Sequence, residues 1–159
     1  MTLPKTPPDA ETFEQMMKHL DSINDEPRAT ILITHLYIEY LLDWIIIKKI
    51  AKPDKILKRT FSSKLELIES FNVLFDSLMH DLWVVNKIRN QFAHNIDIKS
   101  PDFEREFTEN LGNMEYYKNN PSYKGVSVYN AHYIVMMQIY TILKNQLDSI
   151  TPETEHREK

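Results

Sequence analysis

Glycine is almost missing from this chain: Gly112 and Gly125 are the only two in 159 residues. That scarcity constrains the fold more than any other feature. Two-residue hairpins take positive φ at the turn and draw on glycine for it, so a sheet of tightly turned strands has almost nowhere to turn. Phosphate-cradling loops, dinucleotide fingerprints and strained serine elbows need glycines at fixed offsets, and none can be drawn. Helices need none, and an all-α fold is predicted. Cysteine is absent altogether, which excludes disulfides, thiolate-held zinc, iron–sulfur clusters and a cysteine nucleophile. At 42% hydrophobic and 26% charged, the chain is apolar enough to fold as one domain.

Apolar spacing divides the chain into six helices, a single-domain bundle of about five to six. Phe13, Met16, Met17, Leu20 and Ile23 recur at helical spacing within an N-terminal extension, residues 1–26. Asp25-Glu26-Pro27 supplies a cap and a first-turn proline for a second helix to about Ala51. Its run ILITHLYIEYLLDWIII invites a membrane reading, but His35, Glu39 and Asp43 would each be costly in lipid. A buried central helix fits better. Ser63-Lys64-Leu65-Glu66 matches a capping box opening a helix to about Phe71. The next runs from about Ser77 to His94, with Asn95 as a left-handed stop. Ser100-Pro101-Asp102 starts an acidic helix ending near Gly112, and a loop rich in Tyr, Asn and Lys follows. Val126 to Ile150 forms the last helix, with Val128, Ile134, Val135, Ile139, Ile142 and Leu143 for the core. The main domain is thus 27–150, and 151–159 is a polar tail. MTLPKTPPDA lacks the apolar run of an export signal, which predicts a cytoplasmic protein.

Charge is unevenly distributed on a chain of formal charge −4. Residues 1–26 and 97–115 are each acidic by four. Between them Lys48, Lys49, Lys52, Lys55, Lys58, Arg59 and Lys64 face Asp54 alone. The run reads either as a solvated loop with a short helix or as an anion-attracting patch.

The segment HDLWVVNKIRNQFAHN, residues 80–95, carries the chemistry. Turned at 100° per residue, it gathers Asp81, Val84, Val85, Ile88 and Phe92 on one side, apolar except for Asp81. Opposite lie His80, Trp83, Asn86, Lys87, Asn90 and His94, with Arg89 at a margin. Asn90 and His94 are four apart and neighbours, whereas Arg89 and His94 are five apart and diverge by about 140°. His80, Lys87 and His94 repeat at heptad spacing, which suits a helix–helix seam. Trp83 on the polar side is expected to be buried at a two-fold dimer interface.

Arg89-Asn90-Gln91-Phe92-Ala93-His94 resembles the signature of the HEPN superfamily: arginine, often asparagine next, and histidine after four intervening residues. Its Arg-Asn-x-Phe-Ala-His core is most similar to the mannitol-operon-repressor-like branch, as is Phe61-Ser62-Ser63-Lys64 upstream. The resemblance spans about residues 27–150 and implies a helical homodimer with the two motifs facing each other. It further implies a metal-independent endoribonuclease acting on RNA, a toxin or defence effector, with Arg89, Asn90 and His94 as catalytic residues. Histidine titrates near neutrality and serves proton transfer; arginine stays charged and holds a phosphate. Asn90 would orient the histidine or a phosphate oxygen. Ile96 stands where toxin members paired with nucleotidyltransferase antitoxins commonly carry a tyrosine. Control by modification of that tyrosine is therefore not expected here.

The alternative is a non-catalytic regulator or protein-interaction module using the same groove, with a regulatory protein or antitoxin as partner. A DNA-reading repressor fits poorly, because no basic recognition helix is present. His35 and Glu39 are expected behind the site, Glu39 pairing with Arg89 or His35. Lys55, Lys58, Arg59 and Lys87 are expected to contact RNA. The histidines are scattered and form no His-Glu-x-x-His, so neither metal nor cofactor is expected. Tyr116, Tyr117 and Tyr123 either stack on bases or cover the bundle.

Overall fold

The apolar run at 31–47 becomes the axis of the fold. In the computed structural model, which describes residues 7–23, 26–95, 98–118 and 120–152, it lies within helix α2, Pro27–Lys49. Helix α1 (Ala10–Asp21) precedes it. After it come the single-turn α3 (Asp54–Leu57), α4 (Phe61–Phe71) and α5 (Asp76–His94). The chain continues through α6 (Pro101–Gly112), the single-turn α7 (Glu115–Lys118), a 3-10 turn at Pro121–Tyr123 and α8 (Val128–Ser149). Among the described residues there is no strand. The bundle is all-α, and the helices beyond the expected six are the two single turns.

Helix α2 packs against α1, α4, α5 and, most extensively, α8. Lys48 Nζ donates to the Leu147 and Ile150 carbonyls, 2.8 and 3.3 Å, so α2 and α8 end together and run parallel. This ammonium sits where the carbonyls ending α8 lack helical partners. Arg28 Nη2, at the start of α2, donates to the Asn95 carbonyl just past the end of α5, 2.6 Å, so α2 and α5 are antiparallel. Tyr37, Ile38, Leu41, Leu42, Ile45 and Ile46 are essentially inaccessible to solvent. Length and composition would let α2 cross a membrane, but here four helices take up its apolar surface. Each fully buried Leu or Ile side chain adds roughly 1.5–3 kcal/mol over an exposed one.

Several boundaries differ from expectation for local reasons. Helix α4 is capped at Thr60, three residues before the expected cap Ser63, because the Thr60 hydroxyl accepts the Ser63 N–H and Phe61 is drawn into the core. Helix α8 starts at Val128, where the Ser127 side chain accepts from Asn130. Glu26 caps α2 through the Arg28 and Ala29 N–H groups; Asp25 lies outside the described residues. Asn95 is extended, at φ −109°, rather than left-handed. Its amide instead donates to the Gln91 carbonyl, 2.6 Å, while Arg28 takes its own carbonyl. The left-handed stop belongs to Asn72, φ 52°, after α4. Ile134 is 41% exposed rather than in the core, because Val135 and Ala131 occupy the inward positions of α8. The expected extension 1–26 and tail 151–159 are described only over 7–23, 26 and 151–152.

Candidate functional site

The last two turns of α5 are held from within. Ile88 and Phe92 are buried, and Phe92 meets Phe103 and Phe107 edge-on at 4.7 and 5.5 Å. Gln91, 5% exposed, donates to the Phe103 carbonyl at 2.9 Å and accepts from Asn110 at 3.3 Å. With Arg28 clamping Asn95, the end of α5 is fastened to both α2 and α6. These same positions leave the other side chains of the motif outside the packing. Arg89 and His94 are exposed and Asn90 is half-buried. Arg89 Nη1 donates to Asn90 Oδ1 at 3.5 Å, the limit of a useful hydrogen bond. Within one chain Arg89 and His94 diverge around the helix as their spacing requires, so a single copy does not converge both on one phosphate.

Lys87 is exposed on the stripe that carries His94. Trp83 is half-buried, with Nε1 donating to Glu69 Oε2 at 3.3 Å, and His80 Nε2 donates to the Asn113 carbonyl at 2.9 Å. The expected seam is therefore engaged with its own chain at the His80–Trp83 end and open from Lys87 to His94.

Behind Arg89 lies a polar cluster arranged differently from expectation. Glu39 pairs with neither Arg89 nor His35. Its partner is Lys64 of α4, 2.9 Å, which also meets Asp43 at 2.7 Å. Lys64 is 2% exposed. Burial alone would depress its pKa, but Asp43 and Glu39 outweigh burial and hold the ammonium above its ordinary value. Burial pushes the Asp43 carboxyl up, against the pull of Lys64. His35, 3% exposed, packs its ring 4.2 Å from Phe61. Burial first, then the charges of Arg89 and Lys64, lower its pKa to about 3. His35 is thus a neutral imidazole, and its Nε2 has no hydrogen-bond partner. A neutral ring gains little from Glu39, and the lysine wins the carboxylate.

The basic run shrinks on folding. Lys64 is buried and Lys48 caps α8, which leaves Lys52, Lys55, Lys58 and Arg59 exposed. Arg59 lies two residues before Phe61, the ring against His35, and His35 feels the charge of Arg89. The end of the run therefore approaches the Arg89 side of the bundle.

Asp81 and Lys64 hold structural partners that their sequence context does not name. Asp81, fully buried in the apolar stripe, accepts the Glu115 and Tyr116 N–H groups at 2.7 and 3.0 Å and anchors α7. Burial raises its pKa, opposed by those two bonds. An acid amid Val84, Val85 and Ile88 already demands a partner. Lys64 also gave a signal, since Phe61, Leu65 and Ile68 place it on the apolar face of α4. Tyr123 is buried and stacks on Tyr117 at 5.2 Å, so these tyrosines cover the bundle.

Of four surface hollows of about 240 to 690 Å³, one reaches the seam at His80 and Trp83, and none is lined by Arg89, Asn90 or His94. Among the described residues no three His, Asp or Glu side chains gather as metal ligands. Ile96 lies outside the described residues. Comparison with family models, with characterised proteins and with solved structures found no match to this chain.

Proposed function

We propose that the protein is a HEPN-type, metal-independent endoribonuclease acting on RNA through a composite site at a two-fold dimer. One observation carries this reading: Arg89 and His94 are exposed and take no part in packing, whereas Ile88, Gln91, Phe92 and Asn95 between and beside them all fix the helix. An arginine and a histidine set free on a rigid support suit work on a ligand rather than on the fold. Their divergence within one chain favours a second copy. Leu32 and Leu36, 37% and 39% exposed on α2 between the Arg28 clamp and the Glu39–Lys64 pair, supply apolar surface for that seam.

In this reading the RNA 2′-hydroxyl attacks the adjacent phosphorus and the bond to the 5′ oxygen breaks. His94 accepts the hydroxyl proton. His94 of the partner subunit protonates the leaving oxygen, giving a 2′,3′-cyclic phosphate and a 5′-hydroxyl. Arg89 holds the non-bridging oxygens as charge develops, and Asn90 steadies Arg89 or a phosphate oxygen. Lys87, Lys55, Lys58 and Arg59 draw the strand in.

The competing reading, a regulator that binds a protein over the same surface, draws on the same exposed leucines. Purified protein incubated with RNA and chelator discriminates: the nuclease reading requires cyclic-phosphate products that disappear in His94→Ala. Cleavage that needs a divalent ion, or survives in His94→Ala, contradicts it.

A further inference from the structure

His94 is the last residue of α5 and is exposed, so its place is set by the backbone of the final helical turn. That turn is closed by side chains. Asn95 is extended, at φ −109° and ψ 127°, and the chain leaves the helix directly after His94. The Gln91 carbonyl is among those that a helix end leaves open, and the Asn95 side-chain amide donates to it at 2.6 Å. The Asn95 carbonyl in turn accepts from Arg28 Nη2, also at 2.6 Å, across 67 residues of sequence. Asn95 is thus fixed at both ends, by α5 through its amide and by α2 through its carbonyl.

A second feature is independent of this chain of bonds. Arg28 stands in the first turn of α2, directly after Pro27. A cation there opposes the dipole of its own helix, whereas the same charge is favourable at the carboxyl end of another. The guanidinium is turned to such an end, that of α5. The position of Arg28 is therefore explained by α5 and not by α2. Gln91 fastens the same turn to α6 through the Phe103 carbonyl, 2.9 Å, so the Arg28 bond is the charged one of the two that hold the backbone beneath His94.

We propose that Arg28 is a positioning residue for the His94 site: through the Asn95 carbonyl it fixes the direction in which the last turn of α5 presents the imidazole, without itself touching RNA. This role rests on the ribonuclease reading. Proton transfer depends on such placement, since a displacement of about 1 Å can cost about 100-fold in rate. Capture of the strand does not, because in that reading it falls to Lys55, Lys58, Arg59 and Lys87.

The test measures kcat and KM for RNA cleavage in chelator by the full-length protein and its variants. Arg28→Ala should lower kcat about 10- to 100-fold and leave KM unchanged. Arg28→Lys, which keeps an N–H for the Asn95 carbonyl, should recover most of the loss. Asn95→Ala removes the amide on Gln91 and should lower kcat in the same way, so it reads the same link should Arg28→Ala fail to fold. Asp81→Ala is the control for loosening alone: its bonds are to α7, and it should destabilise the fold with kcat unchanged. Unchanged kcat in either folded variant, Arg28→Ala or Asn95→Ala, overturns the proposal. So does an equal fall in Asp81→Ala, or a rise in KM with kcat held in Arg28→Ala, which would make Arg28 a contact to RNA. Absence of cleavage by the unaltered protein is a separate failure, which removes the ribonuclease reading and this role with it.

Discussion

Acidification should unfold this protein from the inside, through two buried histidines. His35 and His132 are 3% and 1% exposed, with pKa values lowered to about 3 and about 4. For His35 burial leads, followed by Arg89 and Lys64; for His132 burial alone acts. Unfolded, each titrates near the ordinary value of 6.5. Above that value both states carry neutral rings and nothing is lost. Below it the unfolded chain takes up a proton that the folded chain refuses, so stability falls as pH falls toward the folded values. Each histidine then costs about 1.4 kcal/mol per pH unit. At about pH 5 the cost is about 2 kcal/mol apiece, about 4 together, against a typical total of about 5–15 kcal/mol. Asp43 and Asp81, whose carboxyls the fold pushes up, act in the opposite sense, so the measurement is made by difference. Urea unfolding followed by helical circular dichroism, at steps from about pH 8 to about pH 5, gives the slope. His35→Gln and His132→Leu should each remove about half of it, whatever they do to stability at the alkaline end. A slope unchanged in both variants refutes the reasoning.

Lys64→Ala strands Glu39 and Asp43 beside a buried space and should cost about 3 kcal/mol in urea unfolding; combining Lys64→Met with Glu39→Gln and Asp43→Asn should recover most of it, and a silent Lys64→Ala would deny the cluster its role. Asp81→Ala removes the acceptor of two α7 N–H groups and should cost about 1–3 kcal/mol, with faster hydrogen exchange at Glu115 and Tyr116 as its local sign. Replacing Lys55, Lys58 and Arg59 with Gln should weaken RNA binding and flatten its salt slope by about 0.7 per lost phosphate contact, without changing cleavage at saturating RNA; an unchanged slope would make the run a solvated loop.

Much of the scaffold was legible because it rests on local rules. The scarcity of glycine pointed to helices, and the periodicity of 80–95 placed Val84, Val85, Ile88 and Phe92 inward and Lys87, Arg89 and His94 outward, as found. What escaped was settled by partners distant in sequence. Lys64 reads as one more cation in a basic run until α4 sets it against Glu39 and Asp43 on α2. Glu39 has a local suitor in His35, four residues back, yet its partner is 25 residues away. Asn95 looked like a left-handed stop because nothing nearby announces that Arg28 will claim its carbonyl. Sequence spacing fixes a side chain's face on its own helix, but not the charge that another helix brings to that face.

The nuclease proposal stands or falls on a single measurement: the ends left on RNA cleaved by the purified protein in chelator, beside His94→Ala of matched helical content and oligomeric state. Cleavage by the unaltered protein to 2′,3′-cyclic phosphate and 5′-hydroxyl ends, lost in His94→Ala, is the predicted result. Equal cleavage by both proteins, or none by either, contradicts it.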